Sequence, residues 1–311
     1  MTGPRTLLVR ESTEIVPGIR ELALADPAGR RLPGHPAGSH LVLDCGDGLR
    51  NSYSLLGPGT PAQEYRIAVL RLPGGRGGSV RLHRLRAGDR IVADGPRSAF
   101  APVASARRHV LVAGGIGVTP MLAHARAAVR HRRPVEMLYV HRSGTGAYRS
   151  ELAALLGDRL TAVTGRAAFA ARLEALLVRQ PLGTHLYTCG PEPLVDHVLD
   201  RAARLGWPAG RLHSERFTAP EPVPGVPFTV RLARSGRDVA VPGGASLLDA
   251  LLAAGVPVAH LCRQGVCGEC RVPVLGGTPL HRDEFLAEDE RHGAVMCCVS
   301  RSASDTLEVD L

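Results

Sequence analysis

The stretch CRQGVCGEC, residues 262–270, spaces three cysteines as C-x4-C-x2-C, and Cys297 and Cys298 follow further along the chain. This spacing is typical of plant-type [2Fe-2S] proteins, in which four thiolates hold two irons. Gly265 and Gly268 allow the loop to fold tightly and to direct backbone amides at the sulfurs. A structural zinc site is the alternative, but it would need a second closely spaced Cys or His pair. The stretch therefore predicts a ferredoxin-like unit that moves single electrons, with Cys297 or Cys298 as the fourth ligand.

The chain is longer than such a unit requires, because 311 residues leave room for two further domains. The segment 218–227, TAPEPVPGVP, holds four prolines and predicts an extended, semi-stiff linker. Short apolar stretches bounded by Gly, Pro or Asp predict a small antiparallel barrel over 1–102. Apolar strands that alternate with helical stretches predict a parallel α/β domain over 103–217. The ferredoxin-like domain then occupies 228–311.

Charge and composition exclude several classes of protein. Residues 226–311 carry 8 Arg against 11 Asp and Glu, whereas residues 1–225 carry 30 Arg against 18 acidic residues. Nucleic-acid binding is not expected, since no helix-turn-helix pattern is present and aromatic residues make up only 4% of the chain. No apolar run reaches membrane-spanning length, and residues 1–16 lack the apolar core of a secretory signal. Together with seven cysteines, these features predict a cytoplasmic protein with no membrane partner.

A glycine-rich turn in the predicted α/β domain suggests a nucleotide site. The apolar strand 109–113 runs into residues 114–120, GGIGVTP, after which a helix is predicted to begin. A strand, a glycine-rich turn and a helix N-terminus together form a site for a pyrophosphate. The spacing is not G-x-G-x-x-G, so an ordinary structural turn is the alternative. A second loop, Cys-Gly-Pro at 189–191, ends another predicted strand, and the ends of parallel strands share one crevice.

Two motifs in the predicted barrel suggest a flavin site. Residues 50–55, RNSYSL, offer an aromatic ring flanked by a hydroxyl and a guanidinium, which suits stacking on a flavin. Gly77, Gly78 and Ser79 precede a predicted helix whose first amides would bind a phosphate. The alternatives are that Tyr53 packs in the barrel core and that Ser79 is a helix cap without a ligand.

The order barrel, nucleotide domain and plant-type ferredoxin resembles the phthalate dioxygenase reductase family, which includes the reductases of vanillate O-demethylases. The resemblance covers nearly the whole chain. It implies an antiparallel Greek-key β-barrel for the flavin, a parallel α/β nucleotide domain and a C-terminal β-grasp ferredoxin domain. The matching motifs are Tyr-Ser-Leu at 53–55, Gly-Gly-Ser at 77–79, Gly-Pro-Arg at 95–97 with Phe100, the glycine-rich turn at 114–120, Cys-Gly-Pro at 189–191, Glu-Arg-Phe at 215–217, His-Arg-Asp at 281–283 with Leu286 and Glu290, and Val-Ser-Arg after Cys298.

The resemblance also implies an activity. The chain is expected to be an NADH-dependent oxidoreductase that passes electrons through FMN and a [2Fe-2S] cluster to a separate Rieske-type oxygenase, either a demethylase or an aromatic-ring oxygenase. The choice of FMN over FAD follows from the family alone. A reductase of a cytochrome P450 is the first alternative. A redox-sensing iron-sulfur flavoprotein without turnover is the second, and the intact nucleotide loops argue against it. The protein is expected to be a monomer.

The resemblance assigns roles to individual residues. Ser54, Cys189 and Phe217 are expected to be catalytic, with Cys189 near the nicotinamide and Phe217 shielding the flavin ring. The expected contacts to FMN and NADH are Arg50, Tyr53, Ser54, Leu55, Gly77, Gly78, Ser79, Gly114, Gly115, Gly117, Thr119, Arg142, Cys189, Gly190, Pro191 and Phe217. The family places the fourth cluster ligand directly before Val-Ser-Arg, so the expected ligands are Cys262, Cys267, Cys270 and Cys298. Cys297 is then a small buried side chain.

Two arginines depart from the simplest family pattern. The family usually places an arginine two residues before Tyr53, where this chain has Asn51. A subset of the family reads Arg-Asn-x-Tyr-Ser, so Arg50 is the expected flavin contact. Arg142 and Arg149 follow the second strand of the predicted α/β domain, where the 2′-phosphate of NADPH would lie. Because the family mostly uses NADH and carries a comparable Arg-Ser there, NADH is expected.

Overall fold

The computed structural model describes residues 3–46, 48–57, 59, 62–75, 77–98, 100–217 and 223–311. The chain divides into two compact units, residues 1–218 and 219–311. The first part of the predicted linker, residues 218–222, lies outside the described residues. Within the described ranges, no helix is both long enough and apolar enough to cross a membrane.

The first unit begins with an antiparallel sheet of six strands. They pair in the order β4-β3-β6-β1-β2-β5. Alternate residues point into one apolar core, which includes Leu7, Leu22 and Leu41. An antiparallel bridge from Leu55 to Ile67 joins the end of β4 to β5, so the two edges of the sheet meet. The elements are β1 (Arg5–Val16), β2 (Ile19–Ala25), β3 (Ser39–Asp44), β4 (Arg50–Ser54), β5 (Glu64–Leu70), α1 (Gly78–Leu82) and β6 (Arg90–Ser98).

A parallel sheet of five strands with four helices completes the first unit. The strand order is β11-β10-β7-β8-β9. The central strands are buried along nearly their whole length, as expected for a parallel sheet covered on both faces. Because β7 and β10 are parallel neighbours, their carboxyl ends lie side by side. The elements are β7 (Arg108–Gly114), α2 (Val118–Arg130), β8 (Val135–Val140), α3 (Arg149–Leu156), β9 (Leu160–Val163), α4 (Arg166–Val178), β10 (Thr184–Cys189), α5 (Glu192–Arg204) and β11 (Leu212–Glu215).

The second unit is a mixed sheet with one helix. Its five main strands run in the order β13-β12-β18-β14-β16, and β15 pairs separately with β17. The helix starts at Ser246, whose Oγ accepts a hydrogen bond from the amide of Asp249 at 3.0 Å. The cysteine loop 262–270 lies between this helix and β14. The elements are β12 (Phe228–Leu232), β13 (Arg237–Val241), α6 (Leu247–Ala253), β14 (Arg271–Gly276), β15 (Pro279–Leu280), β16 (Ala294–Met296), β17 (Arg301–Ser302) and β18 (Thr306–Val309).

A buried arginine anchors the end of the predicted linker to the second unit. Arg301 is 2% exposed, and its guanidinium donates to the carbonyl oxygens of Val226 at 3.0 Å and Pro242 at 3.1 Å. Arg282 donates to the carbonyl oxygen of Val223 at 2.6 Å. Residues 223–227 are therefore held by specific hydrogen bonds and are not a free tether.

Two buried histidines on one face of the parallel sheet are expected to make the stability of the first unit fall in acid. The ring of His109 stacks on Tyr187 with 5.4 Å between centroids, and burial lowers the pKa of His109 to about 4. Burial likewise lowers the pKa of His124 to about 3. Because both values lie below that of the unfolded chain, the folded state binds fewer protons in acid. This stabilisation is complete above pH 6.5 and is lost as the pH falls towards 4.

Replacing His109 with Phe keeps the ring and removes the titrating group. We expect the free energy of unfolding of His109→Phe to fall less between pH 6.5 and pH 4 than that of the unsubstituted protein, by roughly 1–2 kcal/mol. Thermal or urea unfolding followed by circular dichroism over this pH range measures the difference. The exposed His131 supplies the control, because His131→Phe should leave the pH dependence unchanged. Identical pH dependence in His109→Phe and the unsubstituted protein would show that His109 takes up no proton on unfolding.

Candidate functional site

The carboxyl ends of β7 and β10 bring the two predicted nucleotide loops into backbone contact. A Cβ atom on Gly117 would lie 2.2 Å from the carbonyl oxygen of Cys189 and 2.6 Å from the nitrogen of Gly190. Only glycine permits this approach. Gly115 differs, because it has a φ of +54° and open space where a Cβ would stand. Helix α2 starts at Val118 directly after this turn, and its first amides lack partners within the helix, which suits an anion.

Other predicted nucleotide residues have structural partners in the chain. Thr119 is buried, and its hydroxyl donates to the carbonyl oxygen of Ile116 at 3.0 Å. A Cβ on Gly114 would lie 2.8 Å from Leu194, so this glycine lets β7 pack against α5. Pro191 immediately precedes α5. Thr119, Gly114 and Pro191 therefore have a structural role in and around the turn. This role is independent of any contact with a ligand.

Buried polar atoms without partners lie around Ser54. Among the described residues, Ser54 Oγ, His40 Nδ1 and Glu215 Oε2 are buried without a well-formed hydrogen bond, although Ser54 lies close enough to Glu215 to act on its pKa. His40 pairs with Ser54 across β3 and β4, and Glu215 lies beside Cys189 on the neighbouring strand of the other sheet. A buried polar atom without a partner costs about 1–3 kcal/mol. This set of donors and acceptors fits the polar edge of a flavin ring, which would satisfy them.

Glu215 is the residue at this site to which the sequence analysis assigned no role. Burial raises the pKa of its carboxyl to about 8, and the nearby Ser54 hydroxyl opposes this rise. Burial also raises the pKa of the Cys189 thiol well above its ordinary value, and Glu215 adds to that effect. Both shifts favour the protonated, uncharged forms of the two groups. The only signal in the sequence was the motif Glu-Arg-Phe at 215–217.

The flavin motif on β4 is held by neighbouring side chains. Arg50 Nη2 lies 3.1 Å from Asp94 Oδ2. The hydroxyl of Tyr53 accepts a hydrogen bond from Asn51 at 3.4 Å, and the Tyr53 ring is only half-buried. Leu55 is fully buried in the barrel core. The predicted flavin contact of Leu55 would therefore come from its backbone.

The predicted phosphate segment packs directly against this motif. A Cβ on Gly78 would lie 2.3 Å from Asn51 Nδ2, whereas Gly77 has a φ of +94° and open space at its Cβ position. The sequence predicted a helix from Val80, but α1 starts at Gly78 with Gly77 as its cap. Ser79 therefore lies in the first turn, and its hydroxyl accepts a hydrogen bond from the amide of Leu72 at 3.0 Å. The hydroxyl can still donate one hydrogen bond to a ligand.

Two predicted contacts lie at the exposed rim of the first unit. Arg142 is exposed in the loop after β8, where its carbonyl oxygen accepts hydrogen bonds from Thr145. Phe217 is 44% exposed and ends the described part of this unit. The described contacts do not join either side chain to Ser54, Cys189 or Glu215.

The predicted ligand cysteines lie together in the second unit as two pairs. A hydrogen bond from Cys267 lowers the pKa of the Cys262 thiol to about 5, with help from amides of the loop. The Cys298 thiol lowers the pKa of Cys270 in the same way. The amide of Gln264 lies 3.3 Å from the Cys262 sulfur. Among the described residues, no three His, Cys, Asp or Glu side chains are arranged to hold a single metal ion. Four thiols surrounded by amide donors fit a two-iron cluster.

The neighbouring cysteines 297 and 298 have different surroundings. Cys297 is fully buried in the core of the second unit, and burial raises the pKa of its thiol. Cys298 interacts with Cys270 and accepts a hydrogen bond from the amide of Gly265. The structure thus places Cys298 with the other three thiols and Cys297 among apolar side chains.

The cysteine loop depends on its two glycines. Gly265 and Gly268 have φ angles of +75° and +80°. A Cβ on Gly265 would lie 2.6 Å from Val299, and one on Gly268 would lie 2.3 Å from the ring of Phe285. Larger residues are therefore excluded both by conformation and by space.

Two family models match separate parts of the chain. The model described as "Dimethylamine monooxygenase subunit DmmA-like, N-terminal domain" matches residues 89–212. The model described as "2Fe-2S iron-sulfur cluster binding domain" matches residues 230–303, a range that contains all four predicted ligand cysteines.

Proteins of similar sequence and structure cover the whole chain. The heme-dependent oxidative N-demethylase beta subunit of Ectopseudomonas mendocina is 43% identical over 301 residues, which is 96% of each chain. The solved structure of phthalate dioxygenase reductase, titled a modular structure for electron transfer from pyridine nucleotides to [2Fe-2S], is 34% identical with a TM-score of 0.74. That match covers 99% of this chain and 98% of the other. An intact type IV self-sufficient cytochrome P450 monooxygenase matches with a TM-score of 0.82 and 34% identity, over 99% of this chain but 41% of that one.

Proposed function

The chain belongs to the phthalate dioxygenase reductase family, and on this basis we propose that it is an NADH-dependent reductase that passes electrons through FMN and a [2Fe-2S] cluster to a separate oxygenase. One observation carries the proposal. Ser54 from the barrel lies beside Glu215, the neighbour of Cys189 in the parallel sheet, and Ser54 Oγ and Glu215 Oε2 are buried there without a well-formed hydrogen bond. When bound, the nicotinamide would supply a hydride, which the flavin and the cluster would turn into single electrons.

The residues around Ser54 bind and orient the reacting rings. Ser54 Oγ and His40 Nδ1 are proposed to hydrogen-bond to the polar edge of the flavin. The raised pKa of Glu215 favours the protonated form of its carboxyl group, and the Cys189 thiol, whose pKa is also raised, lies beside it. Phe217 would cover the flavin ring and exclude water.

The remaining cofactor contacts are proposed from the two loops and from the flavin motif. Gly115, Gly117, Gly190 and the first amides of α2 would bind the pyrophosphate of NADH, with Arg142 beside a ribose. Gly77, Gly78 and the Ser79 hydroxyl would bind the phosphate of FMN, and Arg50 and Tyr53 would contact its ring. The proposed cluster ligands are Cys262, Cys267, Cys270 and Cys298, with amides of the same loop as donors to the sulfurs.

The domain assignment and the cellular setting are also proposals. We assign residues 1–102 to a Greek-key flavin barrel, 103–217 to the nucleotide domain, 218–227 to a linker and 228–311 to a β-grasp ferredoxin domain. The strand orders of the barrel and of the mixed sheet support this division. Seven free cysteines support a reducing cytoplasm. The family resemblance favours a monomer.

Anaerobic titration of the cluster-containing protein tests the proposal. NADH should bleach overlapping flavin and iron-sulfur absorbance, NADPH should do so less effectively, and FMN should be released on denaturation. Cluster absorbance that neither nucleotide bleaches would contradict a reductase and favour a redox sensor.

A haem-containing oxygenase is the second candidate acceptor beside a Rieske-type one. It is favoured by the 43% identity to the heme-dependent oxidative N-demethylase beta subunit and by the match to a self-sufficient cytochrome P450. Reconstitution with each type of purified oxygenase separates the two. The correct partner should couple NADH oxidation to substrate oxidation, whereas the wrong one should leave NADH oxidation uncoupled.

Charge on the ferredoxin domain predicts a salt-dependent reaction with the oxygenase. Residues 284–290, EFLAEDE, hold four acidic residues beside the exposed Phe285. If this acidic surface docks a basic surface of the oxygenase, the transfer rate at sub-saturating oxygenase should fall about 3- to 10-fold between 20 and 300 mM salt. The control is reduction of the cluster by NADH without oxygenase, measured at the same salt concentrations, which should change less. A transfer rate that is independent of salt would show that electrostatic attraction does not contribute to docking of the oxygenase.

A further inference from the structure

A buried carboxylate lies beside the cysteine loop. The side chain of Asp283 has no exposed surface. Its Oδ2 accepts a hydrogen bond from the amide of Leu286 at 2.9 Å, and its Oδ1 accepts one from the Ser300 hydroxyl at 3.0 Å. Burial alone would raise the pKa of Asp283, yet these two donors and His281 hold it below its ordinary value. The carboxyl group is therefore ionised although it is buried.

The partner of Asp283 is the imidazole ring of His281. His281 Nδ1 lies 3.3 Å from Asp283 Oδ1, and its Nε2 lies 2.8 Å from the carbonyl oxygen of Arg291. A carboxylate and a carbonyl oxygen can only accept hydrogen bonds. Both ring nitrogens must therefore carry a proton for the two contacts to form together. His281 and Asp283 thus make a buried ion pair.

This ion pair lies between the two segments that carry the ligand cysteines. The carbonyl oxygen of Gly265 accepts a hydrogen bond from the amide of Glu284 at 3.1 Å, and a Cβ on Gly265 would lie 3.0 Å from Asp283 Cα. The amide of Gly265 in turn donates to the Cys298 thiol. Ser300, which donates to Asp283, follows Cys298 by two residues. Asp283 is therefore next to the backbone that surrounds the thiols, and His281 lies on its other side, in contact with the Asp283 carboxylate and the carbonyl oxygen of Arg291.

We propose that the His281–Asp283 ion pair sets the reduction potential of the [2Fe-2S] cluster. The inference rests on the proposed function and makes these two residues positioning residues for electron transfer. Reduction adds one negative charge near the pair. A carboxylate opposes that charge and an imidazolium favours it, and both effects are strong where water is excluded. The two residues therefore act on the potential in opposite directions.

The sign of the change separates this role from simple packing. Asp283→Asn removes the negative charge and should raise the midpoint potential, whereas His281→Gln removes the positive charge and should lower it. At the potential where the unsubstituted protein is half reduced, the ratio of reduced to oxidised cluster should move at least about threefold in each direction. A role in packing alone would loosen the loop in both variants and would not give shifts of opposite sign. Glu284→Gln, a charge removal at the exposed neighbouring residue, is the control and should shift the potential much less.

The measurement is an anaerobic redox titration of the full-length, cluster-containing protein with dithionite and mediator dyes. It is made at about pH 6, below the ordinary pKa of imidazole, and iron is counted in each variant. Shifts in the same direction, or shifts no larger than that of Glu284→Gln, overturn the proposal. If Asp283→Asn fails to retain iron, the test rests on His281→Gln alone. A lower midpoint potential of the cluster in His281→Gln supports the proposal, and an unchanged midpoint potential overturns it. Dithionite bypasses NADH, so a cluster that NADH cannot reduce would refute the proposed function without affecting this test. Unsubstituted protein that binds no cluster would refute both.

Discussion

Cys298→Ser abolishes the [2Fe-2S] cluster, whereas Cys297→Ser retains it; this is the largest difference that we expect between two variants of neighbouring residues. The Cys298 thiol interacts with Cys270 and with the amide of Gly265, so its loss should remove one of the four proposed ligands. We expect at least about a 10-fold loss of bound iron. Cys297 lies in the apolar core, so its replacement should leave the cluster in place and destabilise the second unit by about 1–3 kcal/mol.

Iron and inorganic sulfide per chain, together with visible circular dichroism, measure the first effect, and urea unfolding measures the second. The two variants serve as controls for each other, because both replace a buried thiol with a hydroxyl. The opposite result, with iron lost from Cys297→Ser and kept in Cys298→Ser, would assign the fourth ligand to Cys297.

Gly117→Ala should weaken NADH binding without removing either FMN or the cluster. The added methyl group would lie 2.2 Å from the carbonyl oxygen of Cys189, and backbone atoms at that distance must move apart. The two nucleotide loops would then separate. A displacement of this kind in a binding site strongly weakens the positioning of the bound molecule. We expect the KM for NADH to rise by about 10- to 100-fold, which corresponds to roughly 1.4–2.7 kcal/mol.

Steady-state kinetics with NADH and ferricyanide measure this change, and flavin and iron content show whether the variant is intact. Gly210→Ala is the matched control, since a methyl group there meets nothing within 4 Å. It should leave the KM unchanged. A normal KM in Gly117→Ala would show that the contact between the loops is not needed to bind the nucleotide.

The family could be predicted from short motifs because each motif combines residue types that a particular backbone or ligand requires. The C-x4-C-x2-C spacing and the glycine-rich turn at 114–120 are local patterns, and they can be read without knowing the fold. The family is confirmed by the 34% identity to phthalate dioxygenase reductase over 99% of this chain. The start of α1 was predicted two residues late, since Gly77 acts as the cap and Ser79 does not.

The choice between Cys297 and Cys298 shows what the residues alone left open. Both cysteines fit the spacing equally well, and both lie in the turn that follows β16. Packing gives them different surroundings, because Cys297 has no exposed surface whereas Cys298 interacts with Cys270 and with the amide of Gly265, and this supports Cys298 as the proposed ligand.

The sequence by itself determined the local motifs, which are the cysteine loop with its glycines, the nucleotide turn and the flavin motif. Only the tertiary structure brought Ser54 to Glu215 beside Cys189, raised the pKa of Glu215 and buried Asp283 against Ser300 and Gly265. The physical reason is that burial and charge pairing depend on segments distant in sequence. Spacing along the chain shows which side chains can act together on one loop. The desolvation that shifts the pKa of a side chain depends instead on which residues the fold packs over it.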